Sequence, residues 1–183
     1  MSGSKDPGTL VLVVGPSGAG KDTLISHAKA LLGEGYEFPR RVVTRASSQF
    51  EDHDSVDDAG FEEREARGDF ALTWRAHGLA YGIPSSIEAS LNAGRTVVCN
   101  VSRNVVDAAR ERFDRVRVIV VTADRGVLEE RIHARRRDAV VASRKERAST
   151  AVRLMPGDCE IDNSGALGEA TAGFLRGLRQ FSP

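Results

Sequence analysis

From Thr9 to Val14 the chain runs TLVLVV, apolar at every position after the first and rich in branched side chains. A run of this length and composition predicts a strand buried on both faces of a parallel sheet. A glycine-rich polar stretch follows at once, and beyond it Leu24, Ile25, Ala28, Leu31 and Leu32 recur at helical spacing until Gly33 and Gly35. That spacing lays one apolar stripe along a helix, which the glycines end. The alternation then repeats, with strands predicted at 41–44, 96–101, 116–123 and 159–163 and helices at 84–93, 102–112, 124–136, 144–154 and 166–181. Strand alternating with helix predicts an α/β fold of three layers around a mostly parallel central sheet.

Two segments break the rhythm. Residues from about 45 to 95 begin polar, carry an amphipathic helix near 58–67 and continue into FALTWRAHGLAYG at 70–82. They are expected to form an insertion that closes over a second substrate, set into a core made of 9–44 and 96–181. The other segment, about 133–147, is crowded with arginine and reads as a mobile lid. No internal repeat or low-complexity tract is present, so residues 1–183 are expected to form a single domain.

Composition narrows the picture mainly by exclusion. A chain of 183 residues with 40% hydrophobic and 28% charged positions is that of a globular protein able to bury a core. Its 26 basic and 26 acidic residues cancel, which argues against nucleic acid or an anionic membrane as partner. No apolar run approaches the roughly 18 residues of a membrane span, and MSGSKDPGTL lacks a signal peptide's apolar core. A cytoplasmic location is therefore expected. Cys99 and Cys159, in apolar strand-like surroundings without CxxC spacing, are expected as buried free thiols. Oligomeric state is left open.

The chemistry is concentrated in GPSGAGKDT, residues 15–23, which follows a predicted strand and opens a predicted helix. Gly15, Pro16, Ser17, Gly18, Ala19, Gly20 and Lys21 match the phosphate-loop pattern GxxxxGK[ST] up to its last position. Such a loop cradles phosphates with backbone N–H groups at a helix N-terminus, and its lysine spans the β- and γ-phosphates. ATP is the expected phosphoryl donor and Mg2+ the expected cofactor. Where the pattern has a hydroxyl for magnesium, this chain has Asp22. Three readings stand: a magnesium ligand, a base or positioning group for the acceptor, or a carboxylate favoured by the helix dipole. Thr23 next to it offers a hydroxyl, rotated about 100° along the helix. A later strand that in many phosphate-loop enzymes ends in a magnesium-holding Asp ends here in Asn100. One carboxylate gained beside the loop and one lost at the strand end would keep the local charge similar.

A GTPase switch is disfavoured, because NKxD and TKxD are both absent and the DxxG at Asp57–Gly60 is a weak match. Length favours a small-molecule kinase, whose lid excludes water and delivers arginines to the transferring phosphoryl group. Arg131 and Arg135, four apart, can face one ligand, and Arg144 is the preferred candidate for the phosphates. The competing reading of this run is a solvated face paired with Glu129, Glu130 and Glu146.

Beyond the phosphate loop, RRVVTR at 40–45, EDH at 51–53, GDFALTWRAHGLAYGIP at 68–84, NVSR at 100–103, the lid and the late Asn163 together resemble the guanylate-kinase-like group of phosphate-loop kinases. The match is closer to its ribose 1,5-bisphosphate phosphokinase branch, to which the Asp after the loop lysine is similar, and it spans nearly the whole chain. The resemblance implies acceptor-phosphate contacts at Arg45 and Tyr81 and a donor-base contact at Asn163. It also shows what is missing. Leu72 stands where guanylate kinases place a guanine-reading acid, Ile83 replaces a Ser or Thr, and Asn100 replaces an acid. A base buried against Leu and Ile would leave its donors unpaired, so a phosphorylated acceptor without a purine is expected.

His53 or Arg103 is then the candidate for a second acceptor phosphate, against solvated-loop and structural readings respectively, and Trp74 is expected to be a packing anchor. The reaction implied is transfer of the ATP γ-phosphoryl group to the C1 phosphate of ribose 1,5-bisphosphate, giving 5-phosphoribosyl 1-diphosphate and ADP. In pathway terms the resemblance implies phosphonate breakdown upstream and nucleotide synthesis downstream. Because the acceptor is itself a phosphate oxygen, positioning and charge neutralisation suffice, which favours the magnesium role for Asp22. Guanylate kinase and a non-catalytic protein-interaction module remain the rival readings.

Overall fold

The computed structural model describes residues 6–45, 53–138 and 152–181, with side chains on the helix ending at Asp138 described through Ala134. The apolar run after Thr9 forms β1 (Leu10–Val14), and all five of its residues have 0% exposure. Full burial on both faces is possible only at the centre of a sheet. The central sheet runs β2 (Tyr36–Glu37), β7 (Thr96–Asn100), β1, β8 (Val116–Thr122), β9 (Cys159–Asp162), with every pairing parallel.

Helices cover both faces. Leu24 and Ala28 of α1 (Lys21–Leu31) and Ala170, Phe174 and Leu178 of α6 (Leu167–Gln180) pack on Val11 and Val13. On the other face Ile87 and Leu91 of α3 (Ile87–Asn92) and Val106 and Ala109 of α4 (Val106–Arg112) pack on Leu10, Leu12 and Val14. Period two along the strand and period four along each helix thus meet in two cores separated by the sheet. Each fully buried Leu, Val or Phe contributes roughly 1.5–3 kcal/mol of transfer free energy, which explains why so uniform a strand sits at the middle.

A second sheet of four strands runs β4 (His53–Ser55), β3 (Arg41–Val43), β6 (Leu79–Pro84), β5 (Phe70–Ala76). This corrects one expectation: residues 41–44, assigned above to the core, pair with β4 and β6 and belong to the insertion. Three residues are too short to distinguish the two sheets by pattern, and the two-residue β2 that takes the edge of the central sheet was not predicted at all. β5 and β6 are joined by His77–Gly78, with φ of 53° and 77°, a two-residue hairpin loop whose positive dihedrals suit strand twist.

Beneath this sheet lies α2 (Asp58–Ala66), whose Phe61 stacks on Phe70 with ring centroids 4.7 Å apart. The DxxG noted in the sequence is its N-terminus: Asp57 Oδ1 accepts the Gly60 N–H at 2.8 Å, an N-cap rather than a nucleotide motif.

The other predicted helices appear near their expected positions, the one at 102–112 as a 3-10 turn, Arg103–Val105, followed by α4, and the one at 124–136 as α5 (Arg125–Asp138). Of the helix predicted at 144–154, residues 152–154 are not helical and the remainder lies outside the described residues. Both cysteines are free thiols; Cys99 is buried, which pushes its pKa far up, while Cys159 is only half-buried, short of the expectation. Among the described residues no helix is long and apolar enough to cross a membrane.

Candidate active site

The C-terminal ends of β1 and β7 open toward the second sheet, and a cavity of about 280 Å³ lies between them. Such a crevice at the carboxyl ends of parallel strands is the usual ligand site of an open α/β sheet. Gly15, Ser17, Gly18, Gly20, Lys21 and Asp22 line one side.

The loop's glycines have specific reasons. A side chain on Gly15, at φ 149°, would begin 2.1 Å from the Val121 carbonyl oxygen of the neighbouring strand. One on Gly20, at φ 88° and capping α1, would begin 2.3 Å from Asn163 Nδ2. Only glycine allows the loop to lie this close to β8 and β9. Lys21 Nζ donates to the Gly15 and Pro16 carbonyls at 2.8 and 2.9 Å, so the ammonium is folded over the cradle that a phosphate would enter.

Asp22 and Asn100, linked in the sequence only by their compensating charge, are direct hydrogen-bond partners. Asn100 Nδ2 donates to Asp22 Oδ1 at 2.6 Å, and both side chains line the cavity. The strand-end amide thereby fixes the carboxylate that the loop has gained. Asp22 is the one acidic side chain among the described cavity residues, and no three His, Cys, Asp or Glu side chains converge among the described residues. A single carboxylate suits magnesium, which is commonly held by one or two carboxylates with substrate phosphates and water. Thr23 is exposed and does not line the cavity.

Opposite the loop stand Arg41, Arg45, Trp74 and Tyr81 of the second sheet and its margin, with Arg103 from the 3-10 turn. Arg45, Tyr81 and Arg103 were candidates from the sequence and are brought together here. Arg41 was missed, although RRVVTR carried the signal: Arg41 and Arg45 are four apart on an extended segment and so share a face. His53 falls elsewhere; it is 1% exposed in β4 and absent from the cavity lining, its solvated-loop alternative being likewise set aside by burial. Leu72 and Ile83 are cross-strand partners at 6% and 1% exposure, part of the core below Trp74 rather than of the cavity wall.

Behind the loop, Asn163 Nδ2 donates to the Ala19 carbonyl at 2.8 Å, and Arg131 Nη2 donates to the Asn163 carbonyl at 3.0 Å. Arg131 Nη1 also reaches the Gly18 carbonyl at 3.4 Å. Asn163 and Arg131 thus brace the phosphate loop through its backbone instead of lining the cavity. The side chain of Arg135 and all of Arg144, Arg147 and the lid from 139 to 147 lie outside what the structure describes.

No family model matches the chain. It is 49% identical over 177 residues to the ribose 1,5-bisphosphate phosphokinase PhnN of Methylobacterium radiotolerans, covering 94% of this chain and 98% of the relative. The PhnN of Rhodopseudomonas palustris is 51% identical over 161 residues, 87% of this chain and 82% of its own. Among solved structures, guanylate kinase from Anaplasma phagocytophilum matches with a TM-score of 0.70 over 96% of this chain and 87% of that one; at 18% identity this is likeness of fold alone. Half-identity along nearly the whole length accords with a cavity that joins a phosphate loop to an arginine-rich wall, and the chain belongs to the ribose 1,5-bisphosphate phosphokinase family.

Proposed function

We propose that the protein transfers the γ-phosphoryl group of ATP to the C1 phosphate of ribose 1,5-bisphosphate, giving 5-phosphoribosyl 1-diphosphate and ADP. The observation that carries this reading is that Lys21 and Asp22 share one cavity with Arg41, Arg45, Tyr81 and Arg103. One wall is suited to a polyphosphate and the other to an acceptor that is itself anionic.

In the reaction Lys21 leaves its carbonyl partners for the β- and γ-phosphate oxygens, and the loop N–H groups hold the β-phosphate. Asp22, oriented by Asn100, would hold Mg2+, which would supply charge neutralisation to the phosphates of the donor. Arg45 and Tyr81 bind one acceptor phosphate and Arg103 with Arg41 the other, aligning the C1 phosphate oxygen with the γ-phosphorus. That oxygen is already ionised at neutral pH, so the chain's residues position and neutralise rather than remove a proton. Arg135 and Arg144 are the candidates for charge on the transferring group, while Arg131 holds the loop that carries the phosphates. A reaction that consumes ATP belongs in the cytoplasm.

The test is ADP release from ATP and Mg2+ with ribose 1,5-bisphosphate or GMP as acceptor. Turnover with the sugar bisphosphate alone is expected. Turnover with GMP alone would overturn the proposal in favour of guanylate kinase, and silence with both would overturn the acceptor class.

A further inference from the structure

Tyr81 occupies the middle of a row that runs across three strands. Its ring stacks on the Trp74 indole with centroids 5.1 Å apart and planes 4° from parallel. Trp74 is its cross-strand partner on β5. On the side of β3, the Arg41 guanidinium carbon lies 5.9 Å from the Tyr81 ring centroid. Because β6 lies between β3 and β5, these neighbours flank Tyr81 from opposite sides. All three line the cavity.

A planar base is ordinarily held by stacking on an aromatic face and by polar groups at its edge. The aromatic face is not free here. Both flanks of the Tyr81 ring are covered, and Trp74 is packed against the hydrophobic core. The next cross-strand pair on that face, Leu72 with Ile83, has no polar atom that could meet a base edge. What the row directs toward the cavity is hydrogen-bonding capacity at ring edges and guanidinium tips, which suits phosphate oxygens.

We infer that Trp74 is a specificity-determining residue: by stacking on Tyr81 it fills the place where a planar base would lie and restricts the acceptor to phosphorylated molecules without an aromatic ring. The inference deepens the proposed function and rests on it for the acceptor class. Trp74 acts through Tyr81, as a positioning residue, and its effect should appear in selectivity and KM more than in kcat.

The experiment compares wild type, Trp74→Ala and Trp74→Phe with ribose 1,5-bisphosphate and with GMP, by ADP release and by calorimetric binding. Trp74→Ala is expected to raise KM for the sugar bisphosphate about tenfold, with a smaller fall in kcat, and to gain measurable GMP binding. Trp74→Phe, which keeps a ring on Tyr81, should restore wild-type selectivity. As an activity-independent reading, the indole is the chain's sole tryptophan, so its fluorescence should respond to the sugar bisphosphate and not to GMP in the wild type.

A Trp74→Ala protein that melts like wild type but still excludes GMP overturns the inference, as does a Trp74→Phe protein as permissive as the alanine variant. Wild-type turnover of GMP overturns it as well. Wild-type silence toward the sugar bisphosphate instead refutes the proposed function, and GMP binding to Trp74→Ala then still decides the role of Trp74.

Discussion

On the proposed donor side of the cavity, phosphate would be met mainly by a glycine loop whose path is dictated by the central sheet, since Gly15 and Gly20 lie against the main chain of β8 and the side chain of Asn163. On the proposed acceptor side it would be met by side chains, Arg41, Arg45 and Tyr81, spread over a small mixed sheet with a core of its own, Val42, Phe61, Phe70 and Ala80. Main-chain recognition is generic and allows little substitution, because an added Cβ would meet the Val121 carbonyl at Gly15 and the Asn163 side chain at Gly20, both at positive φ. Recognition by side chains of a sheet can be changed one residue at a time, since neighbours along a strand alternate between the two faces. A kinase built this way keeps its donor and exchanges its acceptor.

That contrast can be broken most forcefully through the two cores. Phe174→Ala, between the central sheet and α6, and Phe61→Ala, beneath the second sheet, should each cost about 3–5 kcal/mol. The melting temperature should fall by roughly 10 °C in each case. Thermal unfolding with parallel titrations of ATP and acceptor separates them: Phe61→Ala should weaken acceptor binding while leaving ATP binding near wild type. Equal loss of both ligands in Phe61→Ala would show that the halves are not separable.

A smaller effect is expected on the donor side, at Asn100. Asn100→Ala removes the amide that orients Asp22 and should raise the Mg2+ concentration for half-maximal activity by about 10- to 100-fold. Mn2+ binding in the presence of ATP, read by electron paramagnetic resonance, should weaken in step. Unchanged Mn2+ affinity would mean that Asp22 does not serve the metal.

The smallest concerns the acceptor sheet's rim, where Arg75 Nη2 donates to Glu65 at 2.6 Å and, with Thr73, holds the Glu65 carboxyl below its ordinary range. A depressed carboxylate stabilises the fold above its unfolded pKa, and that stability is lost as pH falls through the folded value. The window therefore opens below about pH 4.5, the group's ordinary value. The pair is half-exposed and screened, so Glu65→Gln should cost at most about 0.5 kcal/mol at neutral pH and flatten the acid limb of stability measured by urea unfolding.

The donor half was legible because its signals are dense and local: an uninterrupted apolar run, a glycine loop and a helical stripe in succession. β1 and α1 follow directly from them. The acceptor half was legible in its chemistry but less in its architecture. Arg45, Tyr81 and Arg103 line one cavity, yet nothing local distinguishes RVV as a strand of the second sheet, since an arginine and two valines suit either. His53 sits in an acidic stretch whose polarity predicts exposure, and only pairing of β4 with β3 buries it. The Asp22–Asn100 hydrogen bond spans 78 residues of sequence, and proximity of that kind is created by the parallel register of β1 and β7.

That same register bears on how the molecule comes into being. Leu10 of β1 pairs with Val97 on one side and Val116 on the other. During synthesis β1 therefore stays an unsatisfied apolar edge until the segments that form β7 and β8 have been made. Contacts so distant in sequence close slowly. The nucleotide loop that follows β1 has no scaffold before then, so ATP cannot assist early folding, and the nascent chain passes its most aggregation-prone interval with its phosphate-binding signature already made.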